Sequence, residues 1–339
     1  MIRAVLGKIV DGIDLSENEA ITAMTSIMEG TSSDPQIASF LVALRMKGAT
    51  VDEIYAFAKV MRKMAIHISA PMNAIDTCGT GGDGSGTFNV STTAAFVIAG
   101  AGVPVAKHGN RGVSSKCGSA DLLEALGVPV NLTPIQVETC IKEVGIGFLF
   151  EPSFHKSMRH AVGPRRELGF RTIFNILGPL TNPANVKHQL VGVYDPSLTE
   201  PIAEVLDRFN VKHALVVHGD GLDEITTTGP TKITELSSGE ISTYTITPEE
   251  FGLKKAELKD LKGGQPEDNA KILHDILSGK PSPYLDMVIL NSAAGLFAAN
   301  KVANISQGIE TARDVIEGLK AKQSLETLTD FSKQLLKEG

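Results

Sequence analysis

Cys78-Gly79-Thr80-Gly81-Gly82-Asp83-Gly84-Ser85-Gly86-Thr87-Phe88-Asn89-Val90-Ser91-Thr92 follows a short β-like run from Ala74 and opens a helical pattern near Asn89. Five of the eight residues from Gly79 to Gly86 are glycine, where 33 glycines in 339 residues would place fewer than one. Glycines let backbone N–H groups approach a ligand and form an anion-binding concavity, to which the following helix adds its positive end. The stretch reads either as a phosphate cradle or as a flexible turn or lid. Gly79, Gly81 and Gly84 also match GxGxxG. That dinucleotide fingerprint needs an acid about 20 residues on, yet no Asp or Glu occurs from Gly84 through Ala120. No Gly-Lys-Ser or Gly-Lys-Thr follows, which excludes a P-loop.

Downstream, β-like runs at Ala74 to Cys78, Val103 to Ala106, Ile146 to Phe150, Leu190 to Tyr194 and Ala214 to Val217 alternate with helical patterns such as Thr133-Pro134 to Val144 and Pro201 to Phe209. Such alternation predicts βαβ units and a mainly parallel sheet. Upstream, the first 70 residues read as helices only. Ser16 with Glu19 and Thr50 with Glu53 fit capping boxes, Asp34-Pro35 fits an N-cap and first helical position, and Gly30 and Gly48 supply stops. Apolar residues at three-and-four spacing (Ile37, Phe40, Leu41, Leu44; Ile54, Phe57, Ala58, Met61) give each helix one buried face. Between Phe154 and Asn185 the rhythm is broken at Gly163-Pro164, Gly178-Pro179 and Asn182-Pro183. This excursion is expected to pack back on the N-terminal helices, and the tail from Asn304 to Leu336 is expected to be helical. The fold class is therefore α/β, with a small N-terminal all-helical domain and a larger α/β domain whose mainly parallel central sheet is flanked by helices. The expected boundaries are 1–70, joined by roughly 155–185, for the first, and 71–154 with 186–339 for the second.

Composition narrows the functional classes. With 42% apolar and 21% charged residues the chain is globular. Its 32 Lys and Arg against 39 Asp and Glu give a net charge of -7, which disfavours nucleic acid and anionic membranes as partners. Cys78, Cys117 and Cys140 form neither a disulfide framework nor a zinc motif. Met1 to Gly12 lacks the apolar stretch of a signal peptide, and the longest mostly apolar stretch, Ala94 to Ala106, is too short for a membrane span. A cytoplasmic location is expected.

The 37 acid-free residues from Gly84 to Ala120, where the average would give about four acids, carry Lys107, Arg111 and Lys116 with His108 beside them. Lys107-His108-Gly109-Asn110-Arg111-Gly112-Val113-Ser114-Ser115-Lys116-Cys117-Gly118-Ser119 leaves the second strand next to the glycine loop, in the crevice where open parallel sheets bind ligands. Lys116 reads as a surface charge, and His108 either as a ligand contact or as a structural histidine. Acids return in Asp220-Gly221-Leu222-Asp223-Glu224-Ile225-Thr226. That turn is either a solvated acidic turn or a Mg²⁺ site, since Mg²⁺ takes one or two carboxylates with substrate phosphates and water. Together these residues suggest a phosphorylated sugar or pyrophosphate ligand with Mg²⁺.

GTGGDGSGTFNVST, KHGNRGVSSKCGSADLLEALG, RTIFNILGPLTNPA and HGDGLDEIT, in this order and across almost the whole chain, resemble the anthranilate phosphoribosyltransferase family. Gln36-Ile37-Ala38-Ser39-Phe40-Leu41 and Ala43-Leu44-Arg45-Met46-Lys47-Gly48 resemble that family's opening. The resemblance implies a glycosyltransferase of tryptophan biosynthesis that moves phosphoribose from phosphoribosyl pyrophosphate (PRPP) to the amino group of anthranilate, releasing pyrophosphate. It also implies two Mg²⁺ ions per subunit and a homodimer. By motif position, Gly79, Gly82, Asp83, Thr87, Asn89, Val90, Ser91, Thr92, Lys107 and Ser119 would hold PRPP. Ser91 with Glu224 would hold one Mg²⁺ and Asp223 with Glu224 the other, while Gly79, His108, Asn110 and Arg165 would line the anthranilate path. Lys107, Asp223 and Glu224 would carry catalysis. The rivals are a pyrimidine nucleoside phosphorylase, disfavoured because Asp223-Glu224 would repel free phosphate, and a nucleic-acid-binding relative, disfavoured by the acidic charge. One segment departs from the family pattern. Where an apolar or small residue and then His-Pro-Ala-Met are usual, this chain has Glu151-Pro152-Ser153-Phe154-His155-Lys156-Ser157-Met158, so a change in the acceptor tunnel is expected there.

Overall fold

The computed structural model describes residues 2–112 and 115–338, so Val113 and Ser114 of the basic loop lie outside the described residues. Four helices open the chain: α1 (Ile2–Val10), α2 (Glu17–Met28), α3 (Asp34–Lys47) and α4 (Val51–Met64). The capping boxes form at Ser16 and Thr50. The N-cap of α3 is Ser33, so Asp34 and Pro35 move one position inward from the sequence expectation. Glu53 holds the bundle together although it is fully buried. Its carboxylate accepts from the N–H groups of Leu15 at 3.0 Å and Thr50 at 2.8 Å and from the Lys47 ammonium at 2.9 Å, which offsets the desolvation of the charge.

The α/β part runs β1 (Ile75–Gly79), α5 (Val90–Gly100), β2 (Val105–Gly109), α6 (Ser119–Ala125), α7 (Pro134–Val144), β3 (Ile146–Phe150) and then the excursion α8 (Glu151–Phe154), α9 (Arg159–Leu168) and α10 (Ile173–Leu177). It resumes with β4 (His188–Gly192), α11 (Thr199–Arg208), β5 (His213–Gly219), β6 (Thr231–Ser237) and β7 (Glu240–Ile246), and closes with α12 (Pro266–Leu277), α13 (Pro283–Ala298), α14 (Ile305–Glu317) and α15 (Lys320–Glu338). The seven-stranded sheet has the order β3-β2-β1-β4-β5-β6-β7. The first five strands pair in parallel, and β6 and β7 add an antiparallel edge.

Strand alternation divides the interior between two faces. Along β5, Leu215 and Val217 join α5, α13, α14 and α15 in one core, while Ala214 and Val216 join α11 and the N-terminal helices in the other. The excursion packs back as expected, with α9 against α2 and α3 and α10 against α3 and α4. Strand order reverses at β1, which lies between β2 and β4. A crevice outside the carboxyl ends of the strands at such a switch point is where open α/β sheets take ligands.

Candidate active site

The glycine loop leaves β1 at this switch point. Gly81, Gly82, Gly84 and Gly86 have φ of 65°, 74°, 74° and 63°, left-handed values that favour glycine over any residue with a Cβ. The loop is tied both internally and to neighbouring segments. Asp83 Oδ1 accepts from the Ser85 N–H at 2.9 Å, and the Gly81 N–H donates to Asp223 Oδ2 at 2.7 Å. From the segment before α12, the Lys262 ammonium donates to Ser85 O and the Gly263 N–H to Gly86 O at 3.0 Å.

Asp223 and Glu224, on the turn after β5, reach the same place from the other side. Glu224 Oε1 accepts from the Ser91 N–H in the first turn of α5 at 3.2 Å. The buried Asn291 of α13 fixes the turn, accepting from the Ile225 N–H at 3.1 Å and donating to Ile225 O at 2.7 Å. Burial, reinforced by Asp83, pushes the Asp223 carboxyl up to about 7, and burial, with Asp223 beside it, pushes Glu224 well above the carboxylate range. Adjacent buried acids are unfavourable without a cation. Among the described residues no group of three or more His, Cys, Asp or Glu forms a ready metal cage. Two carboxylates beside the glycine loop are a donor set that fits Mg²⁺, which takes one or two carboxylates together with phosphate oxygens and water.

Lys107 of β2 is 4% exposed, and its ammonium donates to Thr77 O and to Ser91 Oγ at 3.4 Å. Burial lowers its pKa against the pull of Asp76. The backbone N–H of His108 donates to Asp76 Oδ1 at 3.0 Å, its buried Nε2 has no hydrogen-bond partner among the described residues, and burial lowers the ring's pKa well below its usual value. Ser119 Oγ donates to Asn110 O at 3.1 Å, and Asn89 Nδ2 to Cys117 O at 3.2 Å.

These groups line one cavity of about 290 Å³. Of the residues singled out in the sequence, Gly79, Gly82, Asn89, Ser91, Thr92, Lys107, His108, Asn110, Ser119, Arg165, Asp223 and Glu224 are on its wall. Asp83 and Thr87 instead line a neighbouring cavity of about 420 Å³ that shares Gly82 with the first. Val90 lies behind both, with its side chain in the core and its N–H bonded to Phe88 O. Arg166 is exposed, so of the two adjacent arginines Arg165 faces the cavity. Arg111 also borders the cavity, but its guanidinium is paired with Asp121 at 3.0 Å and Glu124 at 2.6 Å.

Sequence reasoning passed over several contributors. Arg171 donates to Gly82 O and stacks over Tyr194, which ties the excursion to the glycine loop. Asn175 and Glu151 line the cavity. Arg171 and Asn175 stood inside a quoted motif, and Glu151 inside the departing segment, but the distance in sequence from Gly82 to the first two, and from Asn110 to Glu151, hid the contacts.

Two family models cover the chain: the helical bundle domain of a glycosyl transferase family over residues 3–65, and the α/β domain of that family over 71–322. The anthranilate phosphoribosyltransferase of Symbiobacterium thermophilum is 53% identical over all of both chains. The crystal structure of the Thermus thermophilus enzyme of that name has a TM-score of 0.92 at 44% identity, covering 97% of this chain and 99% of that one. The Saccharomyces cerevisiae enzyme, in complex with PRPP and Mg, has a TM-score of 0.90 at 30% identity, covering 98% of each.

Proposed function

Because the chain belongs to the anthranilate phosphoribosyltransferase family, we propose that the cavity at the carboxyl ends of β1 and β2 is where its two substrates meet. The chain is a glycosyltransferase that moves the phosphoribosyl group of PRPP to the amino group of anthranilate, giving N-(5-phosphoribosyl)anthranilate and pyrophosphate in tryptophan biosynthesis. Gly79, Gly82, Asn89, Ser91, Thr92, Lys107 and Ser119 hold PRPP, with Asp83, Thr87 and the backbone at Val90 on the far side of the loop. His108, Asn110 and Arg165 receive anthranilate beside Gly79.

Cleavage of the anomeric C–O bond leaves positive charge on the ribose and negative charge on pyrophosphate. Once PRPP is bound, the glycine-loop N–H groups and the buried Lys107 stand where the leaving-group charge grows, so no reorganisation is needed at the moment of reaction. Mg²⁺, when bound, neutralises that charge further. Ser91 with Glu224 and Asp223 with Glu224 would hold two ions per subunit; the yeast relative's complex carries Mg together with PRPP. The neutral aromatic amine attacks once oriented, so Asn110 and Arg165 act by positioning. No covalent nucleophile is required.

Residues 1–70 with roughly 155–185, against 71–154 with 186–339, form the two domains of this reading, and the enzyme acts as a cytoplasmic homodimer. Three buried cysteines without a disulfide accord with a reducing compartment. No helix among the described residues is long and apolar enough to cross a membrane.

The observation that carries the assignment is the convergence of Gly81, Ser91 and Lys107 on Asp223 and Glu224. Glu224→Gln tests it. Loss of about 2 to 4 kcal/mol of transition-state stabilisation is expected, with a displaced Mg²⁺ dependence and little change in unfolding midpoint. Wild-type turnover and Mg²⁺ dependence would remove the metal assignment.

A further inference from the structure

The residue that opens α8 stands in the acceptor end of the cavity. Glu151 lines the same wall as His108, Asn110 and Arg165. Asn110 Nδ2 donates to Glu151 Oε2, so the amide proposed to orient the acceptor is already engaged by a carboxylate of the chain itself. Arg165, on α9, faces Glu151 closely enough for each charge to steady the other.

We propose that Glu151 is an acceptor-selecting residue, whose carboxylate competes with the carboxylate of the aromatic acceptor for Asn110 and Arg165. This rests on the assignment of those two residues to anthranilate. An acceptor carboxylate brought to Arg165 also meets Glu151, and two like charges in one desolvated pocket repel. Glu151 must then give up its charge or its place.

The surroundings leave Glu151 as the group that yields. Burial raises its pKa, against the opposing effects of Arg165 and Asn110. The other ionisable groups nearby offer no counter-charge. From β2, His108 is kept neutral by burial. From the segment after α8, His155 donates through its ring to Thr181 O at 3.0 Å and is lowered to about 4 by burial. Arg111, from the loop after β2, is committed to Asp121 and Glu124. Among the described residues at this end of the cavity, Arg165 is therefore the positive charge for which two carboxylates compete. Protonation of Glu151 on acceptor binding resolves the conflict, and anthranilate binds with uptake of one proton wherever Glu151 is ionised in the free enzyme.

The test is anthranilate saturation at fixed saturating PRPP and Mg²⁺, from about pH 6 to about pH 9, with PRPP saturation at fixed saturating anthranilate beside it, for the wild type, E151Q, E151A and R165A, with unfolding midpoints for each. For E151Q the anthranilate KM is expected to fall roughly three- to thirtyfold, the size of one relieved charge repulsion at a partly screened distance, while the PRPP KM stays put. The wild-type anthranilate KM is expected to rise with pH through the titration of Glu151, and this rise is expected to flatten in both Glu151 variants. Aniline, which lacks the carboxylate, should inhibit the wild type and E151Q equally. E151A, which adds no polar atoms, should shift the anthranilate KM in the same direction. An unchanged or raised anthranilate KM in E151Q and E151A, with R165A raising it, overturns the selector role and leaves the acceptor site standing. If R165A leaves the anthranilate KM untouched, the acceptor site itself is misplaced and the proposal falls with it.

Discussion

Replacing Gly192 by alanine would drive a methyl group into the turn that carries the two site carboxylates. Gly192 ends β4 in register with Gly79 of β1, and its carbonyl accepts from the Thr80 N–H at 2.9 Å. A Cβ built there lies 1.5 Å from Asp223 O and 2.4 Å from its carbonyl carbon, whereas ordinary contact begins at 3.4 Å. The obstacle is backbone, so the Asp223-Glu224 turn must shift by about 2 Å or the end of β4 must retreat by as much. Misplacement of a catalytic constellation by about 1 Å costs on the order of a hundredfold in rate, so kcat/KM is expected to fall by at least that factor, or about 3 kcal/mol. Overpacking costs about 1 to 3 kcal/mol of stability, which moves the unfolding midpoint by a few degrees in a chain of this size. Gly7→Ala is the control, because among the described residues no packing neighbour lies within 4 Å of where its Cβ would be. Steady-state rates with calorimetric midpoints on both variants decide the matter. A folded Gly192→Ala enzyme within about threefold of wild-type kcat/KM would refute the claim that the position of this turn limits catalysis.

Arg165→Ala should raise the anthranilate KM more than the PRPP KM, because a guanidinium matches a carboxylate through paired hydrogen bonds, whereas Arg166→Ala should change neither since Arg166 is exposed; substrate titrations on the pair check this. Burial lowers His155 from 6.5 to about 4, so the unfolded chain binds the extra proton between these values and stability falls as pH drops from about 6.5 toward 4, by about 3 kcal/mol at this site. Denaturant titrations across that window should be flatter for His155→Gln than for the wild type, and identical slopes would contradict the buried neutral ring. Amide exchange over Gly79–Thr92 and Lys107–Ser119 should slow on adding PRPP and Mg²⁺ but not anthranilate alone, because under the proposed assignment the loop N–H groups that Asp83 and Asp223 do not already hold would gain partners from the phosphates; equal exchange in all states would mean a preformed, rigid cradle.

The parallel strands and the helical N-terminus were legible because each depends on local chemistry: apolar runs of strand length, capping boxes and Gly stops. The β6–β7 hairpin was not, because β7 carries mostly exposed polar residues and offers no apolar run. Its signal was Ser238-Gly239, both at positive φ, between two alternating stretches. Helix α13 also escaped notice, since it is buried almost all round and so lacks an amphipathic stripe. In the site, glycine density and the acid-free stretch pointed to the loops from β1 and β2. The grip of Asn291 on Ile225 and of Arg171 on Gly82 could not be read, since each joins residues far apart in the chain, by two hydrogen bonds in the first case and one in the second. Val90 shows the converse limit: a place in a motif does not put a side chain in the cavity, and here the apolar side chain belongs to the core.

That one cavity joins a phosphate cradle, two carboxylates and an acceptor pocket for phosphoribosyl transfer to anthranilate is tested most directly by following anthranilate fluorescence while measuring pyrophosphate release. The expected result is loss of fluorescence matched one for one by pyrophosphate, only when PRPP, Mg²⁺ and anthranilate are all present, and abolished by chelation. Fluorescence that persists in the complete mixture, or pyrophosphate released at the same rate without anthranilate, would contradict it.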